Sequence, residues 1–190
     1  MNWIAVGLGN SGAEYEWTRH NTGRIALLQF AQTRKLGEWV ADKHTQTLYI
    51  NAEVEKIPLD LMLSEDFMNN SGKPLRALVR SKAQAAKLIV LHDDLDLPLG
   101  KFKISFDRGA AGHRGVQSVI RMLKTSAFVR IRIGISPKRK PQGEKVLNFL
   151  MSNFRASERL LLHRALRDVG SATELIVTEG KEKAMSMYNS

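Results

Sequence analysis

The chain has 190 residues, 43% of them apolar, enough for one compact domain with a real core spanning residues 1–190. It has no cysteine, which excludes a disulfide framework, a thiolate metal site and a cysteine nucleophile. The formal net charge of +10 is regional: residues 101–145 hold twelve Lys/Arg against only Asp107 and Glu144, while the remainder carries seventeen of each sign. Such clustering suits a phosphate-binding surface better than a merely solvated basic face. No basic-then-apolar leader opens the chain and no run reaches membrane-spanning length, so a soluble, cytoplasmic protein is expected.

In chain order, Met1 to Leu8 reads as a strand that breaks into a glycine-rich turn at Gly7, Gly9 and Gly12. Thr22 to Leu36 has the apolar spacing of a helix and stops at Gly37, and Gln46 to Val54 alternates as a half-buried strand. Leu59 to Ser64 is a short apolar strand, and Ser71 is placed to cap a helix running to about Lys82 with Pro74 in its first turn. Lys87 to His92 is the best candidate for a central strand buried on both faces. Lys101 to Phe106 is a further strand, Arg108 to Gly112 a flexible loop, and His113 to Lys124 a helix. Phe128 to Ile135 alternates Val129, Ile131, Ile133 and Ile135 against Arg130, Arg132 and Gly134, predicting a strand with one apolar and one basic face. Ser136 to Gly143 reads as a loop, and Ser157 to about Thr178 as a long amphipathic helix. The alternation of strands and helices predicts an α/β protein: a single-domain α/β/α sandwich around a twisted, mixed, mostly parallel sheet, closed by a long C-terminal helix.

The stretch Val6 to Gly23, VGLGNSGAEYEWTRHNTG, is where chemistry concentrates. Its Gly7-Leu8-Gly9-Asn10-Ser11-Gly12 fits the dinucleotide pattern G-x-G-x-x-G, but that reading needs a helix opening directly after the glycines and an acidic residue about 20 positions on. Ala13 to His20 has no helical apolar repeat, and the acidic residue is missing, so a nucleotide cofactor is not expected. Hydrolysis offers a better use of the polar residues. An ester hydrolase needs a base for water, a donor for the developing oxyanion and a group that fixes the base. His20 suits the base, since imidazole accepts a proton near neutrality. Asp93, at the end of the buried strand, suits the carboxylate that orients it. Asn10 and Asn69 offer amides on glycine-bearing loops, although asparagine there also serves ordinary turns. Asp93, Asp94 and Asp96 superficially suggest a cation site but lack the glycine and terminal glutamate of a calcium loop, so no metal is expected. His44 and His163 read as surface residues, and His92 and His113 as residues that shape a site.

Several blocks together resemble the bacterial-type peptidyl-tRNA hydrolase family. The opening stretch is similar to G-L-G-N-P-G-x-x-Y-x-x-T-R-H-N-x-G, matching through Tyr15, Thr18, Arg19, His20, Asn21 and Gly23, with Ser11 where the family usually has proline. Phe67-Met68-Asn69-Asn70-Ser71-Gly72, the run His92 to Gly100, Gly112-His113-x-Gly115 and the run Phe128 to Gly134 follow in order, so the likeness spans roughly seven-tenths of the chain. The resemblance implies cleavage of the ester between a peptide and the 3′-terminal ribose of tRNA, releasing the peptide and recycling the tRNA, without a cofactor. It implies catalytic roles for His20 and Asp93, and substrate binding by Asn10, Tyr15, Met68, Asn69 and the residue at position 114. It further implies peptidyl-tRNA as the partner, with no membrane, no obligate protein partner and a monomeric state.

Two positions depart from the pattern. Arg114 replaces the family's usual asparagine, and a guanidinium cannot accept a hydrogen bond, so retuned substrate binding is expected there. The family's phosphate clamp pairs a cation with the second arginine of the last block, which is Arg132 here, but the first position is Ser105. Lys103 or Arg108 is expected to supply that charge. A catalytically inactive RNA-binding relative of the same fold is the alternative reading.

Overall fold

The computed structural model describes residues 1–189. Seven strands form one sheet: β1 (Trp3–Gly7), β2 (Val40–Asp42), β3 (Thr47–Val54), β4 (Ile57–Ser64), β5 (Leu88–Pro98), β6 (Phe102–Phe106) and β7 (Val129–Ser136), in spatial order β2-β3-β4-β1-β5-β7-β6. The centre is parallel, since β1 pairs β4 and β5, and β5 pairs β7. The flanks are antiparallel, with β3 on β4, β2 on β3 and β6 on β7. The mixed sheet with a parallel centre, expected from the alternation of elements, is what forms.

Side-chain alternation in the buried strands builds two cores, one on each face. Ala5, Leu61, Ile89, Leu91, Ile131 and Ile133 join α1 (Thr22–Arg34), α6 (Ala156–Glu179) and α7 (Lys181–Tyr188) through Phe30, Leu166, Val169, Ile176 and Ala184. Ile4, Val6, Met62, Leu88 and Val90 face the other way, against Leu75 of α2 (Leu75–Leu78), Ala85 of α3 (Lys82–Ala85) and Val116 and Val119 of α4 (Arg114–Leu123). A strand covered on both faces must be apolar at consecutive positions, which is why Leu88 to Leu91 reads as an unbroken apolar run.

The long helix falls where its amphipathic pattern places it, and three other features depart from expectation. The helix expected from Ser71 to Lys82 is instead a 3₁₀ turn at Met68–Asn70 followed by α2 and α3, separated by Val79 in an extended conformation. Ser81 starts α3 by accepting a hydrogen bond from the Gln84 amide, so the serine caps the second piece where a continuous helix was expected. β5 runs on to Pro98, beyond the apolar run, because its acidic end still pairs with β7. Arg130, on the basic face expected of β7, is buried at 4% exposure. Finally, β2, α5 (Lys145–Leu150) and α7 carry little apolar periodicity and form through tertiary contacts. No described helix is long and apolar enough to cross a membrane.

The glycine-rich turn after β1 leads into a 3₁₀ turn at Ala13–Tyr15, and α1 begins only at Thr22. The helix opening that a dinucleotide fingerprint requires is therefore missing. What Gly7 and Gly23 allow instead is close packing of α1 on the sheet: a Cβ on Gly7 would lie 2.5 Å from the Gly23 carbonyl oxygen, and one on Gly23 2.1 Å from the Leu91 carbonyl oxygen.

Candidate active site

A cavity of about 830 Å³ opens where the carboxyl-terminal ends of β1 and β5 and the segment after β4 converge, the usual ligand crevice of an open α/β sheet. Asn10, Met68, Asn69, His20, Asp93, His113 and Arg114 all line it, so residues from five separate stretches meet.

His20 sits in the 3₁₀ turn Arg19–Asn21 that feeds α1, and its Nδ1 lies 3.0 Å from each Asp93 carboxylate oxygen. Asp93 continues β5 past its apolar run and is 3% exposed. Burial disfavours ionisation of Asp93, but His113 and His20 outweigh it and hold the carboxyl well below the usual range, so Asp93 is an anion. For His20, burial disfavours the imidazolium, while the Asp93 charge and hydrogen bond more than offset it and raise the pKa above the ordinary value of 6.5. Arg114 acts in the opposite sense. With Nδ1–H donated to Asp93, Nε2 keeps its lone pair and makes no hydrogen bond among the described residues.

Two further histidines complete the cluster. His113 caps α4: its Nδ1 accepts from the Val116 amide, 3.2 Å, which puts its proton on Nε2, and Nε2 donates to Asp93 Oδ1 at 2.8 Å. His20, Asp93 and His113 are close enough in space to suggest metal ligands. The cap argues otherwise: a metal on His113 Nε2 would need the proton on Nδ1, which could then no longer accept from Val116. His92 is buried, its pKa pushed well below 6.5 by burial and then by His113, and its Nδ1 donates to the Asp93 carbonyl at 2.7 Å. Its Nε2 lone pair is buried without a partner among the described residues.

Asn10 is held as a donor. Its backbone is locked by Asn21, which accepts from Asn10 N at 2.8 Å and donates to Asn10 O at 2.9 Å, and Asn10 Oδ1 accepts from Met68 N at 2.8 Å. Only the Nδ2 amide remains for a ligand. Ser11, where the resembling family has proline, donates to Glu65 at 3.0 Å, a tether that proline cannot make. Met68 is 4% exposed and packs between the cavity and the core beneath α4, while Asn69 is exposed at the rim. Arg114 is exposed at the first position of α4. Tyr15 stands outside the cavity lining; its carbonyl takes the Thr18 hydroxyl and amide.

The three expected phosphate cations lie apart from the cavity lining. Lys103 and Arg132 are directly opposite in the β6–β7 register, both on the sheet face of Ser105, and Arg108 is exposed just beyond β6. Arg132 donates to Asp94 at 2.7 Å, so part of its charge is already met. Asp96 pairs with Lys140, which together with the Arg132–Asp94 pair accounts for the acidic cluster. Directly opposite Ser105 stands Arg130, which does line the cavity and has no hydrogen bond or ion pair among the described residues. Burial and then Arg132 depress its pKa, against a smaller opposing effect of the Asp94 charge. Sequence reasoning put Arg130 on the basic face of this strand without a role; only the β6–β7 register puts it across from Ser105.

Comparison with known proteins agrees with this geometry. Residues 4–190 match the model of the family described as peptidyl-tRNA hydrolase. A peptidyl-tRNA hydrolase of Geotalea uraniireducens is 37% identical over 187 residues, covering 98% of this chain and 95% of its own. One from Thermotoga maritima is 36% identical over 188 residues, covering 98% and 97%. The crystal structure of peptidyl-tRNA hydrolase from Acinetobacter baumannii superposes with a TM-score of 0.88 at 28% identity, over all of this chain and 95% of that one. By these measures and by its own site, the chain belongs to the peptidyl-tRNA hydrolase family.

Proposed function

We propose that the protein hydrolyses the ester between peptide and tRNA in peptidyl-tRNA, with His20 as the general base. The observation that carries this reading is the His20–Asp93 pair, an imidazole held by a buried carboxylate with its second nitrogen open to a cavity. Water placed at Nε2 gives up a proton as its oxygen bonds the ester carbonyl carbon. The imidazolium, stabilised by Asp93, then returns that proton to the departing 3′ oxygen of the ribose. Asn10 Nδ2 is the donor for the carbonyl or its oxyanion, and Asn69 and Met68 hold the substrate end at the rim and floor. Tyr15 stiffens the turn that presents Asn10, and Arg114 faces the substrate beside His20. No step requires a cofactor.

Lys103, Arg108 and Arg132 hold tRNA phosphates, with Arg130 as the buried cation nearest the reacting end. Phosphate contacts position the duplex without reading bases, which suits an enzyme acting on many tRNAs. One domain spanning the chain, a reading the continuous seven-stranded sheet supports, acting as a monomer in the cytoplasm without an obligate protein partner, is the simplest setting for this chemistry. The deciding experiment measures hydrolysis of N-blocked aminoacyl-tRNA by the intact protein and by His20→Ala, with tRNA binding followed in parallel. Turnover lost in the variant with binding kept is the expected result. Binding without turnover in the intact protein would leave an RNA-binding protein.

A further inference from the structure

Arg19, the residue before the base, is buried at 4% exposure and is more heavily bonded than a turn requires. Its guanidinium carbon lies 4.5 Å from the Phe149 ring centroid and 5.0 Å from that of Phe154. One terminal nitrogen donates to the Ser152 carbonyl, the Ser152 hydroxyl and the Asn153 carbonyl at 3.2, 3.0 and 2.5 Å. The other pairs with Glu158 at 2.6 Å, and Glu158 also accepts from the Arg155 amide at the start of α6. The backbone joins in: Arg19 N donates to Ser152 O, Phe154 N donates to Trp17 O, and Thr18 bridges Asn153. Everything Arg19 grips lies between the last turn of α5 and the first turn of α6.

Stability is a weak explanation for this arrangement. A buried ion pair is often no better than an apolar pair of similar volume, and Arg19 Nε is left buried without a partner among the described residues. What Arg19 does secure is geometry. Val146, Leu147, Leu150 and Met151 form an apolar wall of the cavity, yet α5 has no buried residue of its own and Leu147 is 57% exposed. Phe149, on the same short helix, is the ring that Arg19 covers. The wall is therefore hung from the residue adjoining His20.

We infer that Arg19 is a positioning residue that couples the apolar wall of α5 to His20, so that an apolar peptide resting on the wall sets the base for attack. The inference rests on the proposed hydrolysis of peptidyl-tRNA. Contact energy from a remote part of the substrate is then used at the reacting centre and raises kcat, where simple adhesion would lower only KM. The test compares N-blocked tripeptidyl-tRNA bearing apolar side chains with N-blocked aminoacyl-tRNA. In the intact protein kcat is expected to be higher for the tripeptide, by about fivefold. Arg19→Lys, which keeps the charge and loses the fork, should bring this ratio close to one while kcat on the short substrate changes less than about twofold. Glu158→Gln, a milder change, should lower the ratio in the same direction, and Leu147→Ala should do so with Arg19 intact. Equal slowing of both substrates by Arg19→Lys would make Arg19 merely structural and overturn the coupling. So would an intact-protein ratio of one, or an effect of Leu147→Ala confined to KM. Absence of turnover by the intact protein on either substrate would remove the hydrolase reading and this inference together; turnover with parallel losses removes the inference alone.

Discussion

At the residue scale the site depends on how two histidines share one carboxylate. The α4 cap commits His113 Nε2 to Asp93, whereas His20 turns its second nitrogen to the cavity, the placement the proposed general base needs. His20→Ala should lower kcat by about 100-fold or more, the usual range for a lost general base, with tRNA affinity unchanged in a binding titration. The pH profile follows from the direction of the His20 shift. The base must be neutral, so activity falls as pH drops through its pKa, which Asp93 raises and Arg114 lowers. Arg114→Asn removes the opposing cation, so the acid limb of kcat/KM should move to higher pH. Asp93→Asn removes the carboxylate that offsets burial, so the limb should move to lower pH as the rate drops. A limb that stays in place in both variants would mean that another group controls it.

At the element scale, close backbone approach and edge protection are the vulnerable features. Gly23 lets the first turn of α1 lie against β5, and a methyl there would meet the Leu91 carbonyl oxygen, carbon and the Leu8 amide nitrogen at 2.1, 2.7 and 2.9 Å. Gly23→Ala should cost about 3 kcal/mol in urea unfolding, the upper end for overpacking, because backbone cannot step aside. Gly109→Ala, with nothing within 4 Å, should lie within about 0.5 kcal/mol of the parent. β6 is a sheet edge, and its Ile104 amide and carbonyl are both taken by the Asn189 side chain at 2.8 Å, as a neighbouring strand would take them. α7 holds that amide in place, with Tyr188 against Phe102. Asn189→Ala should cost about 1–2 kcal/mol and raise self-association measured by light scattering, since two backbone groups of an edge are freed.

For the whole molecule the question is where the charge goes. The net +10 arises between residues 101 and 145, and the fold gathers part of it onto β6, β7 and the loop following β6. Affinity for tRNA should therefore fall steeply with salt, and removing one phosphate-contacting cation should reduce the slope of log K against log salt by about 0.7–0.9. Arg130→Ala is expected to show this loss, and so are Lys103→Ala and Arg132→Ala. An unchanged slope for Arg130→Ala would show that this cation does not meet a phosphate.

Much of this was legible in the chain. Periodicity located the buried strands and the long C-terminal helix, because a two-faced core demands consecutive apolar residues in Leu88 to Leu91 and a helix demands an apolar stripe. The motif residues Asn10, Met68, Asn69, His20 and Asp93 do converge on one cavity. What local pattern could not contain were relations between distant segments. α5 and α7 exist because of what they pack on, and Val79 breaks a helix that propensity would have continued. The partner of each charge was likewise undecided: Arg132 faces Asp94, Arg130 faces Ser105 and Arg19 grips the stretch from Phe149 to Glu158 only once register and packing are set. Sequence by itself determined the fold class, the family and the chemical groups of the site. Tertiary structure alone decided which lone pairs and charges remain unmet, because that depends on neighbours brought together across the chain.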